Sequence, residues 1–445
     1  MASRDLTQGS VTKNLIFMSI PVMLAMLLQV SFNLTDLFFV GFLGSESLAA
    51  VGITFPIIFL FIAFGMGLNI GTTALVSRAI GKNHHEKANE IARHSLILSL
   101  IVSVGIALFG FIFSQPLLEF MGARGEILTM ALGYTQLIFI GFIFMFFEFF
   151  GRSILMAEGD SMTSTKYMLY GGILNVILDP LMIFGLYGFP AMGVTGSALA
   201  TVISRCIATF LILRYLFSGK TKTKIEFKNK KMDFKIFKEV IMIGIPASLS
   251  NVLNSVAFII IMSFIGVFGT AALAGYSIIT RIESIVIMPT IAISTSVTPI
   301  IGQNLGAKQF ARMRKTVKRA LQAMAVIIIP LVLALLLFSD VFMMVFSRET
   351  EIIQIGVHYF SIVAVSYLFW VAGLIFISVF NGAGKTGISM ALNVFRWICI
   401  IGLILFVFGM QTLEGIFYSV AAGQVIFMAA CTGVYFSGWW MKQKD

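Results

Sequence analysis

Five ionisable side chains interrupt long apolar stretches of this sequence. They are Asp36, Glu148, Asp179, Arg281 and Glu283. A charged side chain at the centre of a membrane-spanning helix costs roughly 2.5–3.5 kcal/mol on insertion scales, so each of the five needs a function or a partner. A carboxyl group held away from water readily takes up a proton, because desolvation disfavours its charged form. These residue types therefore predict the binding of protons or small cations inside a membrane.

Their spacing groups the acids with amide side chains. Gln29, Asn33 and Asp36 lie at i, i+4 and i+7 on one helix face, and Asn175 and Asp179 share a face at i and i+4. Carboxylate and amide oxygens also suit a hard cation such as Na⁺, so the choice between H⁺ and Na⁺ stays open. In the alternative interpretation the two aspartates only cap or bridge helices. Function is favoured, because two acids at matched depth are hard to explain by packing alone.

The surrounding elements are apolar helices. The hydrophobic share of the 445 residues is 58% and the charged share 11%, whereas soluble proteins carry roughly 25% charged residues. Each apolar stretch is long enough to span a bilayer, which predicts an all-α integral membrane fold of about twelve transmembrane helices. The predicted helices cover about 12–41, 50–80, 92–114, 127–157, 164–186, 193–216, 237–267, 271–302, 317–338, 350–381, 387–409 and 414–440.

The charge of the connecting segments alternates along the chain. The basic ones are Arg78 to Arg93, Lys220 to Lys238 and Lys308 to Arg319, and the intervening ones hold only Arg124 and Arg348. By the positive-inside rule the basic segments and both termini are predicted to be cytoplasmic, in a multi-pass protein of the inner cell membrane. The net charge of +11 reflects this topology, so no nucleic-acid partner is expected.

The chain resembles itself at an offset of 225 residues. The matched pairs include Pro21 and Pro246, Gly41 and Gly266, Gly44 and Gly269, and Gly81 and Gly306. Two six-helix lobes are therefore predicted, at 1–217 and 237–445, joined by a basic cytoplasmic linker at 218–236. Parallel repeats of this kind are a transporter architecture. Asn33 and Asp36 correspond to Phe258 and Ile261, so the second half has lost this acid.

The remaining charged candidates are less clear. Arg281 and Glu283 are two residues apart and point to different sides of one helix, so a structural ion pair with other partners and a gating role are both open. Glu148 has Arg152 one turn away as a simple partner. The three cysteines lie in apolar segments without metal-type spacing.

Four sequence runs together resemble the MATE family, the multidrug and toxic compound extrusion transporters. They are NLTDLFFVGFLGSESLAAVG, MAEGD, LNVILDPLMIFG and GQNLGA, and RIES is similar to the DinF-like branch. The resemblance covers nearly the whole chain. It implies export of organic cationic or amphipathic compounds by alternating access of two lobes, driven by H⁺ or Na⁺ entry, without enzymatic activity or a further cofactor. Lipid surrounds such a protein, and we expect a monomer.

The resemblance also implies roles for individual residues. The family's cation site falls on Asp36, Asn175, Asp179 and Thr201, where Na⁺ could bind, and the bend of the first helix falls on Pro21. One branch carries an acid where this chain has Asn254, which argues against a coupling site in the second lobe. The residues expected to line the substrate cleft are Gln29, Asn33, Tyr134, Asn254, Arg281 and Glu283.

Three other functions fit the sequence less well. A flippase for lipid-linked oligosaccharides would need several cationic residues for phosphate. Arg281 is the only basic residue well inside a helix apart from Arg396 and Arg205, which lie nearer the cytoplasmic ends. A membrane-embedded transferase would need clustered acids for magnesium, whereas Glu86, Glu90 and Asp160 are scattered among basic residues. A channel would place polar residues in a ring rather than in one lobe.

Overall fold

The structure is a computed structural model that describes residues 3–226, 232–408 and 412–441, except for the side chain of Asn33. Its regular elements in these ranges are helices, without a strand. Eleven of them are long and apolar enough to cross a membrane, and one bent pair makes a twelfth span if its two pieces are counted together. The predicted all-α membrane fold is confirmed.

The first half of the chain forms six long helices. The last two are joined by a single 3₁₀ turn at Leu186–Gly188. The helices are α1 (Val11–Gly41), α2 (Ser45–Gly81), α3 (His85–Phe120), α4 (Gly125–Ala157), α5 (Ser161–Phe184) and α6 (Gly193–Leu216).

The second half differs from the prediction at one helix. The helix predicted at 350–381 is divided into two pieces bent by 60°, with Ala364 and Val365 between them. Neither proline nor glycine stands at the break, so the local sequence carries no breaking signal. The helices are α7 (Phe234–Gly266), α8 (Thr270–Gly306), α9 (Phe310–Met344), α10 (Thr350–Val363), α11 (Ser366–Gly382), α12 (Thr386–Phe406) and α13 (Leu413–Phe436).

The chain divides into two compact units. The first unit holds residues up to Asp5 and Ile20–Gly244, and the second holds Leu6–Ser19 and the chain from Ile245 onward. These units differ from the predicted boundaries at 217 and 237, because the start of α1 belongs to the second unit and the start of α7 to the first. Both transitions fall directly before the repeat-related Pro21 and Pro246.

Helix α4 forms the centre of the first unit. It contacts α2, α3 and α6, and its phenylalanines at 139, 142, 146 and 150 are fully buried. Phe139 lies against Gly110 of α3 and Phe146 against Gly65 of α2, both at distances that leave no room for a Cβ atom. Small residues let membrane helices approach closely, and the resulting van der Waals packing holds this unit together.

The segment before α1 is anchored in the second unit. Leu6 is fully buried, its N–H donates to Gln303 Oε1 at 3.1 Å, and its carbonyl accepts from Asn304 Nδ2 at 3.2 Å. Arg312 donates to the carbonyls of Leu6, Gln8 and Gly9. These bonds satisfy an irregular backbone and explain why Leu6–Ser19 is part of the second unit.

Candidate functional site

A pair of glycines brings three helices of the first unit together. The ring of Phe32 in α1 lies where a Cβ on Gly172 of α5 would stand, within 1.5 Å of that position. A Cβ on the adjacent Gly171 would lie 2.9 Å from the Cβ of Ala208 in α6. Thr165 of α5 also donates to the carbonyl of Pro21 at 2.8 Å. Helix α5 is therefore held closely between α1 and α6.

Four polar side chains meet next to this glycine pair. Asn175 Nδ2 lies 3.5 Å from Asp179 Oδ1 and 3.3 Å from Thr201 Oγ1. Thr201 Oγ1 lies 3.5 Å from Asp36 Oδ2. The structure thus brings together Asp36 of α1, Asn175 and Asp179 of α5, and Thr201 of α6, the four residues to which the family resemblance points.

The two carboxyl groups of this cluster are incompletely satisfied. Asp179 is fully buried, and the two side chains lie within hydrogen-bonding reach of each other. Asp36 Oδ1 and Asp179 Oδ2 are buried and have no hydrogen-bond partner within the described part of the chain. Two carboxylates this close repel each other, so the geometry favours a shared proton or a bound cation between them.

A small cavity opens beside the cluster. Its volume is about 60 Å³. That volume suits a small cation or a few water molecules, whereas drug-sized ligands occupy roughly 300–1,000 Å³. The lining residues are Gln29, Phe32, Asp36, Glu148, Met168, Gly171, Gly172, Asn175, Thr201, Ser204, Arg205 and Ala208.

An ion-pair triad closes another side of this cavity. Glu148 Oε2 lies 3.1 Å from Arg205 Nη1, and Glu148 Oε1 lies 3.8 Å from Arg152 Nη1. The sequence indicated Arg152 as partner, but the shorter contact is with Arg205 of the neighbouring α6. Spacing along one helix cannot reveal such a partner, although a basic residue inside a predicted spanning helix is itself a signal.

The other first-unit candidates take different positions. Gln29 lines the cavity, and Tyr134 lies within electrostatic range of both aspartates. Helix α1 runs through Pro21 without a break. The side chain of Asn33 lies outside the described part of the chain.

The acid of the second unit has hydroxyl partners. Tyr359 of α10 and Tyr367 of α11 both donate to Glu283 Oε1, each at 2.6 Å. These tyrosines lie on opposite sides of the break between α10 and α11, so Glu283 links the two pieces. Arg281 is exposed instead.

Asn254 of α7 contacts α12. Its Oδ1 accepts from Trp397 Nε1 at 2.7 Å and from Arg396 Nη2 at 3.3 Å. The Arg396 guanidinium is also stacked near three rings, with 4.5 Å from Cζ to the Trp397 centroid, 5.3 Å to Phe427 and 5.6 Å to Trp370. Sequence reasoning did not single out this cluster.

Comparison with known proteins adds an independent result. The chain is 29% identical over 374 residues to the probable multidrug resistance protein YoeA of Bacillus subtilis, covering 83% of this chain and 80% of that protein. It is 31% identical to the probable multidrug resistance protein YpnP of the same organism, covering 69% and 68%.

A solved structure and a family model agree with these relatives. The structure, an outward-facing multidrug resistance MATE family transporter of the MOP superfamily, is 28% identical, with a TM-score of 0.89 over 99% of this chain and 98% of that chain. The MatE family model matches twice, at residues 21–181 and 246–408, so the two matches begin at the paired prolines and confirm the repeat. The chain therefore belongs to the MatE family of membrane transporters.

Proposed function

We propose that this protein exports small cationic or amphipathic compounds from the cell and that protons entering at Asp36 and Asp179 drive the export. The observation that carries the proposal is a pair of aspartates beside a cavity of about 60 Å³, each with a buried carboxyl oxygen that has no hydrogen-bond partner among the described residues. Relatives named as probable multidrug resistance proteins support the substrate class.

The geometry suggests how the two fluxes are linked. A deprotonated pair attracts a cationic compound electrostatically, and a protonated pair does not. Because the cavity is too small for a drug, the compound interacts with the pair from a neighbouring part of the path. A ligand shifts a conformational equilibrium by its differential affinity for two states, so proton and drug act on the same equilibrium in opposite directions.

Na⁺ is the second candidate for the transported ion. Asp36, Asp179 and Thr201 contribute oxygen atoms of the kind that hard cations prefer. Asn175 completes this set only with its carbonyl oxygen turned inward, whereas its amide nitrogen faces Asp179 and Thr201. That orientation supports H⁺ as the first choice.

The membrane placement is part of the same proposal. The alternating charge of the connecting segments supports an inner-membrane protein with both termini in the cytoplasm. We expect it to act as a monomer surrounded by lipid and without a nucleic-acid partner. Single cysteines placed at Lys220 and at Glu349 in a cysteine-free background should react with an impermeant maleimide from the cytoplasmic and the external side, respectively.

Transport in proteoliposomes tests the coupling. Ethidium efflux should respond to an imposed pH gradient, and Asp36→Asn should abolish that response while the protein still inserts and binds lipid. Asp340→Asn is the matched control, because it makes the same change at an exposed position of α9. A response to a Na⁺ gradient alone would replace H⁺ by Na⁺. Full pH-driven efflux by Asp36→Asn would refute the site.

A further inference from the structure

The guanidinium of Arg396 has no anionic partner among the described residues. Only 5% of the residue is exposed, and within the described part of the chain no carboxylate forms an ion pair with it. A buried charge costs free energy unless it is paired and fully hydrogen-bonded. Among the described residues its acceptor is Asn254 Oδ1, which is neutral and also accepts from Trp397.

Two N–H groups of the same cluster lack acceptors among the residues that the structure describes. They are Arg396 Nε and Trp370 Nε1, and both are buried. The guanidinium carbon of Arg396 is 5.6 Å from the centroid of the Trp370 ring. Both donors therefore belong to neighbouring side chains of one cluster. Cation–π contacts with the rings stabilise the positive charge, but they satisfy neither N–H group.

The repeat gives this cluster a counterpart in the first unit. Helices α5 and α12 begin at residues related by the 225-residue offset, Ser161 and Thr386. At this offset Asn254 corresponds to Gln29, Arg396 to Gly171 and Trp397 to Gly172. The three first-unit residues line the candidate cation cavity. The equivalent place in the second unit thus carries a positive charge where the first unit carries acids.

We propose that Arg396, Trp370 and the surrounding rings form a binding site for a monovalent organic oxyanion in the second unit. One guanidinium balances one negative charge, which favours a carboxylate or a phosphodiester over a dianion. Each has two oxygens that can accept from Arg396 Nε and Trp370 Nε1, and the aromatic walls suit an attached apolar body. A carboxylate would come from a solute, and a phosphodiester from a lipid.

Two ligands separate these sources. Hexanoate binding to the purified full-length protein in lipid-free detergent is followed by calorimetry, with Arg396→Met as the reference for partition into micelles. Phosphatidylglycerol is tested by thermal stabilisation in mixed micelles, against phosphatidylcholine. Binding in either arm that is lost in Arg396→Met supports the site and identifies its source. Equal responses of wild type and Arg396→Met in both arms would overturn it.

A pair of tryptophan variants tests the donor itself. Trp370→Phe and Trp397→Phe each remove one indole N–H beside Arg396, but only that of Trp370 is unpartnered, since Trp397 donates to Asn254. Hydrogen bonds to charged groups are strong, so Trp370→Phe should weaken binding roughly tenfold and Trp397→Phe far less. These variants keep the arginine and an aromatic ring, so they decide the question even if Arg396→Met does not fold. Unchanged affinity in Trp370→Phe would refute this donor arrangement.

Discussion

The two units pair their ionisable side chains in different ways. In the first unit, two aspartates lie within hydrogen-bonding reach of each other, and Glu148 is paired with two arginines. In the second unit the acid and the base are kept apart: Glu283 is bound by two tyrosines, and Arg396 is surrounded by aromatic rings. The two halves match the same family model and nevertheless carry two different electrostatic sites.

This difference indicates what each unit can do. Asp36 and Asp179 each have a carboxyl oxygen that accepts no hydrogen bond from the described residues, and such oxygens favour binding of a proton or a cation. Every described hydrogen bond of Glu283 instead uses Oε1 and spans the break between α10 and α11, which is the arrangement of a structural link. This contrast supports our proposal that ion coupling takes place in the first unit.

The largest expected effect is the difference between substitutions at Asp179 and at Glu283. Asp179→Asn should abolish proton-driven efflux, because the pair can then no longer share and release a proton. Glu283→Gln should retain most efflux, since the amide oxygen still accepts from Tyr359 and Tyr367. Initial rates of ethidium efflux from proteoliposomes, normalised to inserted protein, measure both. If Glu283→Gln is as damaging as Asp179→Asn, coupling is not confined to the first unit.

An intermediate effect is expected from the glycine pair. Gly172→Ala places a Cβ on the ring of Phe32, so α1 and α5 must move apart; overpacking of this kind costs roughly 1–3 kcal/mol. The thermal unfolding midpoint in detergent should fall, and efflux with it. Gly105→Ala in α3 is the control, because nothing lies within 4 Å of its added Cβ, and its midpoint should not fall. Equal midpoints would show that the close approach is dispensable.

The smallest effect concerns the hydroxyl of Thr201, which contacts Asp36 and Asn175. Thr201→Val removes contacts of 3.3 Å to Asn175 and 3.5 Å to Asp36. Hydrogen bonds between membrane helices contribute roughly 0.6 kcal/mol on average, so proton-driven efflux should fall about threefold. Thr201→Ser keeps the hydroxyl and should behave like wild type in the same efflux assay. Loss of efflux in both variants would point to the methyl group instead.

The spanning helices and the grouping of the acids were predictable because each depends on a local pattern. Hydropathy located the helices, and the cost of burying Asp36 and Asp179 marked them as unusual. The repeat was visible because glycines and prolines at turns and bends tolerate few replacements. These signals can be read within one helix or by aligning the two halves of the sequence.

The remaining features depend on contacts between distant helices. The bend at Ala364 has no helix-breaking residue. The tyrosines on its two sides donate to Glu283, which is far away along the sequence. Arg205 lies in α6 and Glu148 in α4, with the whole of α5 between them along the chain. Arg396 looked like an ordinary basic residue until its rings and unpartnered Nε could be seen. Adjacent glycines such as Gly171 and Gly172 are a readable signal, but sequence alone does not show which helix approaches them.

The exchange of helix ends at Pro21 and Pro246 has an evolutionary consequence. If a single repeat once existed as a separate chain, the same contacts would have made it a domain-swapped homodimer, with each subunit lending the beginning of its first helix to the other. Gene duplication and fusion would then have preserved the swap. A split gene that ends inside the 218–236 linker would accordingly yield two fragments that each lack part of their own packing and depend on co-expression to fold.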